Sequence, residues 1–407
     1  MNKKNKKKKW LKFRHRIVRN LAFIILKPYC KIKYGITIEP IKDKRKRPYL
    51  IVMNHQTAFD QFFLGMAFPG AVYYIASEDI FSNGFISRLI DYLVAPIPIK
   101  KQTTDVHAIL NCMRIAREGG TIALAPEGNR TYSGETVYIN PAVSKLAKKL
   151  MLPLAFFRIE GGFGVHPRWS DVVRKGKMRG YVSRIVEPEE LKAMSDDELY
   201  ELIKQELYVN EGTSGGIFRH KKAAQYLERA MYVCPWCGLS EFESSGDTIE
   251  CKQCHRKIRY MPTKELQGID CEFPHKFLTQ WYNYQCDYIN NLNTAKHTDT
   301  PLYKDTADIS LVTLYKNKTL LTKGAELSLY GDKIKIHSNN ELLMNIPFDS
   351  TRSTVVILGK NKLNIYFDGK VYQIKGDKRF NGLKYLNIYH RHINLKEGNP
   401  DVKFLGL

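Results

Sequence analysis

Tyr49-Leu50-Ile51-Val52-Met53-Asn54-His55-Gln56-Thr57-Ala58-Phe59-Asp60 is a short apolar run that breaks into a polar turn, and a second apolar run, Phe62 to Phe68, follows it. An apolar run of this length bounded by a polar break reads as a buried strand, and the run after it as the start of a helix. On one continuous helix, residues five apart lie on different faces, because each residue turns the chain by about 100°. His55 and Asp60 therefore meet only if His55 sits in the strand-to-helix turn. Asp60 would there accept from one imidazole nitrogen and fix the tautomer, leaving the other nitrogen to take a proton from an alcohol. A base so placed is worth on the order of 10² to 10⁴ in rate.

Spacing alone does not select this pair, since His166-Pro-Arg-Trp-Ser-Asp171 repeats it in a stretch without the strand-to-helix context. What narrows the choice lies some seventy residues downstream. There the apolar run Thr121 to Ala125 leads into Pro126-Glu127-Gly128-Asn129-Arg130-Thr131. Gly128 permits a tight turn, and Arg130 carries a planar fork that suits a phosphate. Glu127 has two readings, a partner that holds that fork or a group that hydrogen-bonds a glycerol hydroxyl; a surface-turn ion pair of the two is the structural alternative.

From residue 48 to about 208, short apolar runs (Tyr49 to Met53, Ala71 to Ala76, Thr121 to Ala125, Leu152 to Arg158) alternate with helix-like segments such as Val106 to Glu118 and Ala142 to Leu150. That alternation predicts an α/β domain, closed by a helix over Asp196 to Leu207. Asn210 to Gly216 has the composition of a flexible linker. Beyond Pro301 the pattern changes to alternating strands, Glu326 to Tyr330, Lys333 to His337, Lys362 to Phe367 and Val371 to Ile374. Turn signals separate them and a helix near Gly382 to His392 ends them. Several strands closed by one helix resemble a pleckstrin-homology-like barrel.

The charge is unevenly placed. Residues 1 to 47 hold 18 Lys and Arg against Glu39 and Asp43, which leaves only +7 of the net +23 for the rest of the 407-residue chain. Its two basic blocks are Lys3 to Lys9 and Lys42 to Arg47. Between them Trp10, Phe13, Ile17, Leu21 and Ile24 or Ile25 recur at helical spacing, with Lys12, Arg14, Arg16 and Arg19 interspersed. A basic amphipathic helix of this kind lies in the headgroup region of an anionic membrane surface, each nearby cation adding roughly 1 kcal/mol. Charge gathered in a tail, with so little shared by the remainder, argues against nucleic acid as the main partner. No apolar stretch approaches the length of a membrane-spanning helix.

Four of the eight cysteines form two Cys-x-x-Cys pairs, Cys234 with Cys237 and Cys251 with Cys254. Two such pairs thirteen residues apart are near the spacing of a four-thiolate Zn²⁺ site and suit a reducing compartment. They resemble a zinc ribbon, with each pair a knuckle. A site filled by four protein ligands is structural.

The motifs around His55 and Glu127, in this order and at this distance, resemble the glycerolipid acyltransferase superfamily, in particular the 1-acyl-glycerol-3-phosphate (lysophosphatidic acid) acyltransferases. The likeness covers about residues 40 to 208 and rests on Asn54-His55-x-x-x-x-Asp60 and Pro126-Glu127-Gly128-Asn129-Arg130. Gly84-Phe85 leading into Ile97-Pro98-Ile99-Lys100-Lys101, and Leu152-Pro153-Leu154, look like its second and fourth blocks. Asn129 stands where the family usually has Thr, and Lys101 where it usually has Arg, a point charge in place of a bidentate fork. The resemblance implies transfer of a fatty acyl group from a coenzyme A or acyl carrier protein thioester to a membrane lipid hydroxyl without a covalent acyl-enzyme. It makes His55 and Asp60 catalytic, and gives Glu127, Gly128, Asn129, Arg130 and Lys101 to the acceptor. Lysophosphatidic acid is the first acceptor it implies, with another lysophospholipid, glycerol 3-phosphate or a lipid-linked sugar as alternatives. The expected organisation is a membrane-binding segment over 1–35, the acyltransferase domain over 36–208, a zinc ribbon over 220–262, a helical connector over 263–300 and a β-rich domain over 305–395. The expected location is the cytoplasmic face of the cell membrane, as a peripheral protein.

Overall fold

The computed structural model describes residues 9–99, 105–313, 316–349 and 351–406. They divide into two compact units, one made of residues 1–130, 136–161 and 177–209, the other of 131–135, 162–176 and 210–407. The predicted phosphate ligand Lys101 and most of the first lysine block lie outside the described residues.

The first unit is built on strands β1 (Ile36–Ile38), β2 (Leu50–Met53), β3 (Val72–Ser77), β4 (Ile97–Ile99), β5 (Thr121–Leu124), β6 (Leu154–Glu160) and β7 (Met178–Val186). Among the described residues they form one sheet in the order β1-β7-β6-β2-β5-β3-β4. The strand that opens the first motif, β2, is central and runs parallel to both β5 and β6. All four of its residues are buried, which fits a strand covered on both faces and explains why it reads as unbroken apolar sequence. Helices α1 (Phe13–Tyr34), α2 (Asp60–Ala67), α3 (Phe85–Val94), α4 (Val106–Arg117) and α5 (Ala142–Leu150) belong to the same unit. Local chemistry sets several of their ends. Asp105 accepts from the Ala108 amide to start α4, and a capping box between Ser195 and Glu198 starts the helix Asp196–Leu207. That helix turns Leu199, Ile203 and Leu207 inward at helical spacing.

Two details of the N-terminal segment differ from the sequence reading. Trp10 precedes α1 and is not on its apolar face; its indole N–H, which must find an acceptor when withdrawn from water, donates to the Ala95 carbonyl at 3.2 Å. In the second basic block, Arg45 and Arg47 are not left unpaired: both pair with Asp43 and Glu187. The apolar residues that repeat along α1 do face outward, with Phe13, Leu21, Ile24 and Ile25 more than half exposed. Opposite them the helix buries His15, Phe23, Cys30 and Tyr34.

In the second unit, Phe242–Ser245, Thr248–Cys251, Lys257–Tyr260 and Leu266–Ile269 form an antiparallel sheet in sequence order. A larger antiparallel sheet takes its strands in the spatial order Glu341–Pro347, Lys333–Ser338, Thr319–Leu329, Tyr303–Val312, Lys370–Gly376, Lys362–Phe367, Ser353–Leu358, and the helix Leu383–Lys396 packs on it. The cysteine-rich segment, the helix Leu278–Asn290 and this sheet share one hydrophobic core, in which Cys234, Cys251, Trp281, Ile334 and Tyr385 all take part. Among the described residues no helix is long and apolar enough to cross a membrane.

Candidate active site

Strand β2 ends at Met53, and the next residue anchors the turn. The Asn54 side chain donates to the Ile159 carbonyl and accepts from the Ile159 amide, both at 2.8 Å, tying the end of β2 to β6. His55 follows at the carboxyl end of a central parallel strand, the place where sites collect in open α/β sheets. Asp60 is the first residue of α2 and is fully buried. Between them the chain closes on the Asp60 carboxylate, which accepts from the amides of Gln56 and Thr57 and from the Thr57 hydroxyl at 2.7 Å. His55 Nδ1 lies 2.9 Å from Asp60 Oδ2. Since Asp60 takes only donors from the chain around it, the tautomer that satisfies this contact carries its proton on Nδ1 and its lone pair on Nε2. The imidazole side chain is 24% exposed, enough to meet a substrate, while its partner carboxylate is at 0%.

Thr57 was not singled out from sequence, although Thr-x-x-Asp directly before an apolar run has the spacing of a capping box. The competing pair behaves differently: Asp171 takes Arg229 and Lys360 as its ionic partners.

The second motif leaves β5, the neighbour of β2. Gly128 has φ +70°, a conformation that strains any side chain, and its amide closes the turn on the Ala125 carbonyl. The turn directs Glu127 at the first motif, where Oε1 accepts from the His55 backbone amide at 2.6 Å. Neither sequence reading of Glu127, holding the Arg130 fork or binding a hydroxyl, contains this contact; it spans 72 residues and leaves no local signal. Desolvation pushes the Glu127 carboxyl up to about 8, against a smaller opposing effect of the His55 amide. Asn129 and Arg130 follow at partly exposed positions. Tyr34, another residue sequence reasoning missed, lies within electrostatic reach of both Arg130 and Asp60.

An expected result follows for Glu127. Glu127→Gln keeps a carbonyl for the His55 amide, so transfer should stay within a few-fold of wild type. Glu127→Ala leaves that amide without its acceptor, at about 1–3 kcal/mol, and should lower turnover by tenfold or more. The carboxyl is raised from its ordinary 4.5 to about 8, so the stability it contributes is complete below pH 4.5 and is lost as pH rises through 8. Thermal unfolding across that window should show the decline in wild type and a flatter profile in Glu127→Gln.

In the second unit, the sulfurs of Cys234, Cys237, Cys251 and Cys254 all lie within 4.8 Å of one another, with Cys234 and Cys254 at 3.8 Å. A tetrahedral zinc with bonds of about 2.3 Å places its thiolates about 3.8 Å apart, so this donor set fits a Zn²⁺ ion. Gly238 follows the first knuckle at φ +76°, where a Cβ would stand 2.5 Å from the Tyr288 hydroxyl. His255, next to Cys254, pairs with Glu250 on an exposed edge and lies outside this donor set.

Residues 35–160 match the family model described as Acyltransferase. Among solved structures, the chain is similar to the 1-acyl-sn-glycerophosphate (LPA) acyltransferase PlsC from Thermotoga maritima, at 20% identity over 46% of this chain and 77% of that one, with a TM-score of 0.38. No curated protein matches the chain.

Proposed function

We propose, from the premise that this chain is an acyltransferase enzyme, that it transfers a fatty acyl group from a thioester to the free hydroxyl of lysophosphatidic acid, making phosphatidic acid. One observation carries the reading: a buried carboxylate that accepts from Gln56, Thr57 and His55 Nδ1 holds the imidazole at a partly open strand end beside the Pro126–Arg130 turn. His55 Nε2 takes the proton of the acceptor hydroxyl as its oxygen attacks the thioester carbonyl. The carbon–sulfur bond then breaks, and the departing thiolate recovers the proton from the imidazolium, so His55 ends as it began. Asp60 stabilises the imidazolium between the two transfers. Arg130 presents its fork to the acceptor phosphate, with the turn residues Gly128 and Asn129 beside it. Lys101 is assigned to the same phosphate from sequence alone.

The donor is a coenzyme A or acyl carrier protein thioester, and the enzyme works as a peripheral protein on the cytoplasmic face of the membrane. The outward residues of α1 support that placement, and α3 adds to them. Phe85 and Ile86 on α3 are 77% and 60% exposed, and Arg14 of α1 lies 4.0 Å over the ring of Tyr92 of α3. The two apolar faces thus belong to one pair of packed helices, which suits burial in the headgroup boundary better than solvation. In the second unit the four thiolates would hold a structural Zn²⁺ as a ribbon. The spatial order of the large sheet and its terminal helix support reading this part as a pleckstrin-homology-like barrel.

The replacements at Asn129 and Lys101 favour a second reading, the same chemistry on another acceptor. Presenting lysophosphatidate, other lysophospholipids, glycerol 3-phosphate and a lipid-linked sugar on vesicles, with each thioester in turn, separates the two. We expect kcat/KM for lysophosphatidate to exceed that of the other acceptors at least tenfold. Equal or better transfer to any of them would overturn the acceptor assignment and leave the mechanism standing.

A further inference from the structure

The helix that carries the outward apolar face also touches the catalytic turn. Helix α2 has only eight residues, too few to hold an orientation alone, and its first residue is Asp60. Helix α1 lies antiparallel along it and grips it at both ends. At the C-terminal end of α2, Arg19 Nη2 donates to the carbonyls of Gly65 at 3.0 Å and Phe68 at 2.7 Å. These are among the carbonyls a helix end leaves without partners, and a cation there also meets the negative end of the helix dipole. Midway, the helices approach closely enough that a Cβ on Gly65 would stand 2.8 Å from the Phe23 ring. At the N-terminal end, the buried ring of Tyr34 packs 4.9 Å from Phe59, which precedes Asp60, and 5.4 Å from Phe63, one turn after it.

We infer that α1 is a brace for the catalytic carboxylate as well as an anchor, with Arg19 and Tyr34 acting as positioning residues that set α2, and through it the hydrogen bond that Asp60 accepts from His55. The inference rests on the acyltransferase reading of that pair. Its physical basis is that misplacing a catalytic group by about 1 Å can cost up to 10²-fold in rate.

The test uses the full chain and two readouts. The first is steady-state transfer to a short-chain lysophosphatidate kept below its micelle concentration, so that no surface is required. Arg19→Gln and Tyr34→Leu should each lower kcat about tenfold with the acceptor KM unchanged. Arg19→Lys, which retains a cation for the two carbonyls, and Tyr34→Phe, which retains the ring, should recover most of it. The second readout is the ¹⁵N spectrum of the His55 imidazole, which reports the Asp60-bound Nδ1–H whatever the acceptor is. It should move in Arg19→Gln and return in Arg19→Lys, with unfolding midpoints close to wild type. If kcat stays within twofold in both disruptive variants, or KM rises while kcat holds, α1 is an anchor only. If wild type itself transfers nothing to lysophosphatidate, the acceptor reading fails, and the imidazole spectrum alone decides whether α1 braces the pair: an unchanged spectrum in Arg19→Gln overturns it.

Discussion

Replacing His55 by Ala should lower acyl transfer to lysophosphatidate by 10² to 10⁴, with little change in the acceptor KM. The split follows from where the imidazole acts. In the proposed mechanism its Nε2 takes a proton only as the carbon–oxygen bond forms, so the interaction would belong to the transition state, whereas the acceptor would be held by the Pro126–Arg130 turn. Asp60→Asn should be nearly as damaging. Asp60 is held by the Gln56 and Thr57 amides and the Thr57 hydroxyl, all of them donors, and it gives Nδ1 an acceptor. An amide in its place would turn an NH₂ toward one of these groups or toward Nδ1, favouring the tautomer in which Nε2 carries the proton and cannot act as a base. Initial rates of the two variants with a coenzyme A thioester check this. A His55→Ala enzyme within tenfold of wild type would remove His55 from the chemistry.

How much of this was legible in sequence depended on whether the deciding interaction was local. The helix Asp196–Leu207 begins and ends where sequence places it, because its Ser195–Glu198 capping box and its inward Leu199, Ile203 and Leu207 are local. Helix α5 is likewise where its spacing predicts, turning Val143 and Ala147 inward. The turn from Asn54 to Asp60 was legible for the same reason: its hydrogen bonds to Asp60 span three to five residues. Helix α3 was not, since its N-terminal boundary residue Gly84 offers no side chain and its outward face is apolar, which blurs the pattern that marks a helix. Strand β7 escaped notice because Arg179, Ser183 and Arg184 interrupt its apolar positions, and its place is set by pairing with β6 and β1. The roles of Glu127 and Arg19 were invisible in principle. Each acts on backbone groups 46 to 72 residues away, and a backbone amide or carbonyl has no sequence signature.

In the cysteine cluster the expected effect is on folding rather than chemistry. The purified chain should carry one zinc, and Cys251→Ser should abolish that stoichiometry and the cooperative unfolding of the second unit. Cys234 and Cys251 are both buried in the core that also contains Phe242, Ile249 and Trp281, so the metal would cross-link strands that pack on this core. Structural zinc contributes about 10–16 kcal/mol in apparent binding free energy, which for such a site is folding free energy. Without it, four thiol groups stand against one another in a space shaped for a cation, and the knuckle at Gly238 closes on nothing. A site with four protein ligands has no open coordination position, so a metal held there would take no part in the transfer step. Metal analysis and the near-ultraviolet dichroism of Trp281 and Trp236, before and after a strong chelator, test this directly. Stoichiometric zinc that is lost with the tryptophan signal is the expected result; a metal-free protein with four titratable thiols and an unchanged spectrum would show that packing alone holds this core.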